Sequence, residues 1–275
     1  MPGVRALVEP YELEGKTLAM AYGDKFEAEI EAELRASLGD ANFKRPEGKD
    51  TFAETVSLMH SGVPVIYQGA LRHRSGLAEF TGRPDFLVRG DYDLEFVNGK
   101  LTAKLSKDRA GSKNEHGTLG YIAWDAKLAS SAKPHYLLQV ALYVDALAVL
   151  GLKAEGARHG LILGSRTLAT YEEGEIVPAM RQARSYILDA IENLDVEQFT
   201  FESLILHCDS ADSCKVCEYP DLCEHNRKEV DHLVQIAGIN KSQIEKLKKA
   251  GITTMAALAE AKDSARPTDF VPGSF

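Results

Sequence analysis

Tyr121-Ile122-Ala123-Trp124-Asp125-Ala126-Lys127 is the stretch from which the fold of this chain is read. Its start is aromatic and β-branched, which favours a buried strand, and its end carries two charged residues. Successive strand side chains point to opposite faces, so Asp125 and Lys127 fall on one face and Ala126 on the other. Desolvating a carboxylate and an ammonium at the end of a buried strand is costly. The pair therefore either neutralises itself or serves chemistry. Taken alone, it reads more readily as a sheet-end ion pair.

The elements on either side follow from periodicity. Phe26, Ile30 and Leu34 recur at i, i+4, i+8 inside a helical stretch from Glu12 to Leu38, ended by Gly39-Asp40. Thr51 to Ser61 reads as a helix and Val63 to Leu71 as one strand. Leu77 to Arg89 holds a strand broken at Gly82-Arg83-Pro84, and Asp91 to Val97 holds another that ends at the Asn98-Gly99 hairpin signal. Ser106 to Gly117 is polar and reads as a loop. Beyond Lys127, Pro134 opens a helix that runs through Leu150 and stops at Gly151. His159 to Gly164 is a short buried strand, and Ile176 to Leu194 a helix with Met180, Ala183, Ile187 and Ile191 on one face. Glu229 to Lys262 reads as short helices. This order predicts an α/β sandwich around a mixed central sheet, with a small helical appendage.

Composition narrows the function. The chain has 275 residues, of which 44% are hydrophobic, so it holds a real core. A net charge of −9 excludes a uniformly basic nucleic-acid surface, so any DNA contact has to be local or metal-mediated. No apolar run reaches the roughly 18 residues of a membrane helix. The best candidate, Tyr136 to Leu150, is interrupted by Gln139 and Asp145. The opening residues carry no apolar core of a signal peptide, and a cytoplasmic protein with no membrane partner is the expectation.

Carboxylates and amides stand at spacings that suit one site. Asp85 follows Pro84 at the start of a strand, Glu27 lies on the first amphipathic helix, and Gln139 and Tyr143 stand at i, i+4 on the helix after Lys127. Each has a bland reading: a solvated face for Glu27, a satisfied amide for Gln139, a core aromatic for Tyr143. Phosphodiester hydrolysis accounts for the set better. Two or three carboxylates hold Mg²⁺ or Mn²⁺ against a phosphate oxygen, and a lysine beside them orients water and stabilises phosphoryl charge.

Glu27, Gly82-Arg83-Pro84-Asp85, Asp125-Ala126-Lys127 and Gln139-x-x-x-Tyr143, in that order, resemble the PD-(D/E)XK nucleases, and more narrowly their RecB-like branch. The resemblance covers residues 20 to 195 and implies a restriction-endonuclease-like fold. It implies Asp85 and Asp125 as metal ligands, Glu27 as a third acidic ligand or its support, and Lys127 as the catalytic lysine. Gln139 and Tyr143 would line the DNA path. RecB-like members often carry a histidine on the first helix after a glycine, where this chain has Phe26.

All four cysteines lie in one short segment, spaced Cys208-x5-Cys214-x2-Cys217-x5-Cys223. So tight a group reads as a metal site, either zinc or a [4Fe–4S] cluster. Cys214 to Cys223 resembles the cysteine tail of iron–sulfur RecB-like nucleases, which place their fourth cysteine far upstream; here Cys208 would serve. Ala237-Gly238-Ile239-Asn240 and Ala250-Gly251-Ile252-Thr253 resemble helix-hairpin-helix turns, which present backbone N–H groups to phosphates.

The domain organisation expected is a nuclease domain over 1–200, the cysteine segment over 201–226, a helix-hairpin-helix-like module over 227–263 and a tail over 264–275. The function expected is a divalent-metal-dependent DNA nuclease acting on single strands or free ends, within or beside a helicase. The rivals are a non-catalytic nucleic-acid-binding module of the same fold and a CRISPR spacer-acquisition exonuclease.

Overall fold

Period-two burial builds the centre of the molecule. In the computed structural model, which describes residues 18–76, 78–107, 113–193, 220–265 and 267, Tyr121–Lys127 is a strand buried over its first five residues. Ile122 and Trp124 enter one apolar cluster and Tyr121 and Ala123 another, on opposite faces of the sheet. Phe86 and Val88 alternate with Leu87 in the same way on the neighbouring strand.

The elements in chain order are α1 (Leu18–Leu38), β1 (Phe43–Lys44), α2 (Thr51–His60), β2 (Val65–Tyr67), β3 (Leu71–Ser75), β4 (Ala78–Gly82), β5 (Phe86–Arg89), β6 (Tyr92–Val97) and β7 (Lys100–Leu105). Then come β8 (Tyr121–Lys127), α3 (Pro134–Val149), β9 (His159–Leu163), β10 (Thr167–Tyr171) and α4 (Glu173–Glu192). A six-stranded sheet runs β1-β2-β5-β8-β9-β10. Its β1–β2 and β8–β9 pairs are parallel and the other neighbours antiparallel, so the sheet is mixed. Hairpins β3–β4 and β6–β7 form separate two-stranded sheets.

The stripe of α1 covers one face: Phe26, Ile30 and Leu34 pack with Tyr67, Phe86, Trp124 and Ile162, joined by Leu94 and Leu101 of the β6–β7 hairpin. On the other face Met59 of α2 meets Tyr121, Tyr143 and Leu147, while Val140 and Val144 of α3 meet Leu161, Ile176 and Met180. Arg166, at the β9–β10 turn, donates to both carboxylate oxygens of Glu33 at 2.9 Å and so fixes the register of α1.

Some expectations give way. The single strand over Val63 to Leu71 ends at Tyr67, because Gln68 turns into the left-handed region at φ 50° and sends the chain into the β3–β4 hairpin. β10 was not foreseen. The last helix starts at Glu173 rather than Ile176, where the side chains of Glu172 and Glu175 form a capping box. Its apolar stripe is buried only at Ile176, Val177 and Met180; Ile187 is 52% exposed.

Lys16–Leu194 is one compact unit; Met1–Gly15 with Asp195–Phe275 is the other. In the second, α5 (Pro220–Glu229), a 3-10 turn (Leu233–Gln235), α6 (Lys241–Lys249) and α7 (Met255–Glu260) enclose Leu233, Ile244, Leu247 and Ile252. Gly238 and Gly251 take positive φ in the two predicted turns, and Asn240 and Thr254 cap the helices that follow. Among the described residues no helix is long and apolar enough to cross a membrane. Cys208, Cys214, Cys217, the tail over 268–275 and the first residues of the predicted opening helix lie outside the described residues, as does part of the Ser106–Gly117 loop.

Candidate active site

Antiparallel pairing of Phe86 with Trp124 carries one step further to set Asp85 opposite Asp125. The backbone of Asp85 is held from the other side, its carbonyl accepting from Gln68 N at 2.8 Å. Its carboxylate Oδ2 accepts the Ala126 backbone N–H at 2.7 Å. Two carboxylates thus converge at the edge where β5 begins and β8 ends. Asp125 is buried, with 1% exposure.

Lys127 returns to Asp125 across one residue, and its Nζ contacts Oδ2 as an ion pair. The ammonium of Lys127 is thus the partner of this buried oxygen, and it lowers the Asp125 carboxyl against the effect of burial. Lys127 Nζ also lies 5.5 Å above the Tyr136 ring.

The electrostatics follow from this crowding. Burial pushes the Asp85 carboxyl up to about 9, with the charges of Asp125 and Glu27 adding to it, against the Ala126 N–H and Lys127. Burial also raises Asp125, opposed by Lys127 and by hydrogen bonding from Asp85. One ammonium thus serves two carboxyls, Asp125 buried and Asp85 half-buried.

Glu27 stands one step back. Its Oε1 accepts from Tyr67 Oη at 2.9 Å and from Gln68 Nε2 at 2.7 Å, while Gln68 Oε1 accepts from Arg45 at 2.7 Å. Its charge reaches Asp85, but its side chain is tied to β2. Gln139 Nε2 donates to Tyr143 Oη at 2.7 Å, and Tyr143 Oη donates to the Arg83 carbonyl at 3.3 Å. Gln139 is exposed and Tyr143 is buried, so Gln139 meets solvent while Tyr143 braces the turn before Asp85. A Cβ at Gly82 would lie 2.6 Å from Tyr143 Cε1, so the glycine is what lets the ring in.

The structure therefore brings together Asp85, Asp125 and Lys127, reaches Gln139 and Tyr143 through the Gly82–Arg83 turn, and keeps Glu27 beside the group. Tyr67, Gln68 and Arg45, which hold Glu27, were not singled out from sequence; only the left-handed Gln68 brings them into line, and glutamine gives no signal for that conformation. Of the four cysteines, Cys223 alone is described, half-buried on α5.

A divalent cation fits the donor set in part. Two converging carboxyls, both raised and served by one ammonium, are what a cation would relieve. Among the described residues no group of three or more His, Cys, Asp or Glu side chains is arranged to hold a metal. Magnesium is commonly held by one or two carboxylates together with waters and substrate phosphates, so the Asp85–Asp125 pair suffices for that mode and Glu27 does not enter it as placed.

The chain matches no protein-family model, no curated protein and no solved structure.

Proposed function

We propose that the chain is a divalent-metal-dependent nuclease that hydrolyses phosphodiester bonds in DNA, of the RecB-like PD-(D/E)XK type. The observation that carries this reading is the convergence of Asp85 and Asp125, both raised and with Lys127 paired to Asp125, at the meeting point of β5 and β8. Asp85 and Asp125 would hold Mg²⁺ or Mn²⁺. When bound, the ion supplies charge neutralisation at the phosphate and a more acidic water. Lys127, no longer the counter-ion of Asp125 when an ion is held there, would be available to stabilise charge on the phosphoryl oxygens and to orient water. Glu27, fixed by Tyr67 and Gln68, adds negative potential that favours cation capture and a proton acceptor near the water. Tyr143 keeps the Gly82–Arg83 turn, and with it Asp85, in register.

Labelled single- and double-stranded oligonucleotides incubated with Mg²⁺ or Mn²⁺ test this. Wild type cleaves and Lys127→Ala does not; absence of metal-dependent cleavage, or full activity in the variant, ends the reading.

A second proposal concerns Cys208, Cys214, Cys217 and Cys223, which would hold a [4Fe–4S] cluster, with zinc as the alternative. Anaerobically purified protein would be brown, absorb near 400 nm and contain iron; colourless protein with stoichiometric zinc decides for the alternative.

A further inference from the structure

A cleft of about 580 Å³ is lined by the start of α2, by the β3–β4 hairpin and by Arg83, two residues before Asp85. Lys49, Arg72 and Arg83 bring three cationic side chains to it, and Phe52 brings an aromatic ring. The Arg72 guanidinium lies 4.5 Å from the centre of the Phe52 ring, which makes a stacked aromatic–guanidinium pair. Two acids also line the cleft. Asp50 is engaged in capping α2, accepting the Ala53 N–H at 3.1 Å. Glu79 stands in register with Arg74 across the hairpin, which leaves three cations against two acids in the lining. In a chain of net charge −9, a concentration of positive groups in one recess is a local feature with a local use.

The place of the cleft in the chain ties it to the proposed site. Gly82 and Arg83 form its wall, and Asp85 follows two residues later. Ala70 and Leu71 form another part, and Gln68, which holds Glu27, precedes them. The Arg83 carbonyl is braced by Tyr143, so the wall is fixed.

We infer that this cleft binds single-stranded nucleic acid, with phosphates on Lys49 and Arg83 and an unpaired base stacked on the Phe52–Arg72 pair. Stacking of this kind is open only to bases that have left a duplex, because paired bases present no free face to a side chain in a recess. The volume suits a short stretch of chain rather than a helix. This deepens the proposed nuclease reading by placing the strand next to the scissile position, and its binding step stands apart from cleavage.

Anisotropy of fluorescein-labelled oligo-dT and oligo-U, against a blunt hairpin duplex, tests it on the full chain carrying Lys127→Ala, in chelator. The expected result is preference for the single strands, with oligo-dT and oligo-U separating deoxyribose from ribose preference. Phe52→Ala weakens single-strand affinity roughly tenfold while Phe52→Tyr retains it. Lys49→Ala and Arg83→Ala each lower the salt slope by about one. Equal binding of the duplex, or single-strand affinity unchanged in both Phe52→Ala and Arg72→Ala, overturns the inference. Cleavage by wild type with binding unaffected by these variants would leave the nuclease reading standing and remove the cleft; binding that obeys them without any cleavage would do the reverse.

Discussion

Two buried aspartates of this chain are treated in opposite ways. Asp145 on α3 is 3% exposed and accepts from Arg181 Nε at 2.9 Å and from Arg184, with His73 Nδ1 3.6 Å away. Burial acts to raise its carboxyl, but the two guanidiniums outweigh it and hold it below the usual carboxylate range. Asp125 is buried as deeply, has one ammonium where Asp145 has two guanidiniums, shares its surroundings with Asp85, and is raised. The first is a finished ionic joint that ties α3 to α4 and the β3–β4 hairpin. The second is left incomplete by the protein's own groups, which is the condition of a site that waits for a ligand.

The strongest way to break the comparison is to neutralise each aspartate in turn. Asp125→Asn should reduce metal-dependent cleavage by on the order of 10²–10³-fold or more with the fold intact, as judged by single-turnover rates and circular dichroism. Asp145→Asn should do the reverse: it leaves two guanidiniums facing a neutral amide and costs about 3 kcal/mol of unfolding free energy in urea, with the activity of the folded fraction retained. If Asp145→Asn abolished cleavage without destabilising the chain, the distinction would fail.

Packing behind the site supplies a smaller test. Gly82→Ala drives a methyl into the Tyr143 ring and should cost about 1–3 kcal/mol, with Tyr143→Leu in the same chain recovering part of it in thermal melts.

A further effect is on pH. The Asp85 carboxyl is raised to about 9 in the fold against about 4 when unfolded, so between those values the folded state keeps a proton that the unfolded chain has released. Stability of the metal-free protein therefore falls as pH rises through that window. His159 works from the other side. It is buried, accepts the Ala123 N–H at Nδ1 at 3.1 Å, and is lowered by burial to about 3, with Lys153 adding to the shift, so stability falls as pH drops below about 6.5. Asp85→Asn should flatten the alkaline limb of midpoint against pH, raising the midpoint at pH 8 in chelator, and should leave the acid limb in place.

Much of this was legible in the sequence, for local reasons. The alternation of Tyr121 to Lys127 and the spacing of Phe26, Ile30 and Leu34 state which face is buried, and both faces are as read. The convergence of Asp85 with Asp125 follows once their strands are paired. What escaped depends on distant partners or on unusual backbone. Asp145 read only as an interruption of an apolar run, because its guanidiniums come from another helix. Strand β3 escaped, and with it the pairing to β4, because Leu71-Arg72-His73-Arg74-Ser75 is polar and follows a left-handed glutamine. The clasp of Tyr67 and Gln68 on Glu27 spans about forty residues and leaves no periodic trace.

The most direct test of the central claim, that the Asp85–Asp125 edge is left open for a divalent cation, is the thermal midpoint titrated with Mn²⁺ at pH 8 after chelation. Wild type should rise with saturation, because an ion that binds only the folded state stabilises it by mass action. Asp125→Asn, which keeps every cysteine, should lose the rise. An equal rise in the variant, or none in wild type, would contradict the account.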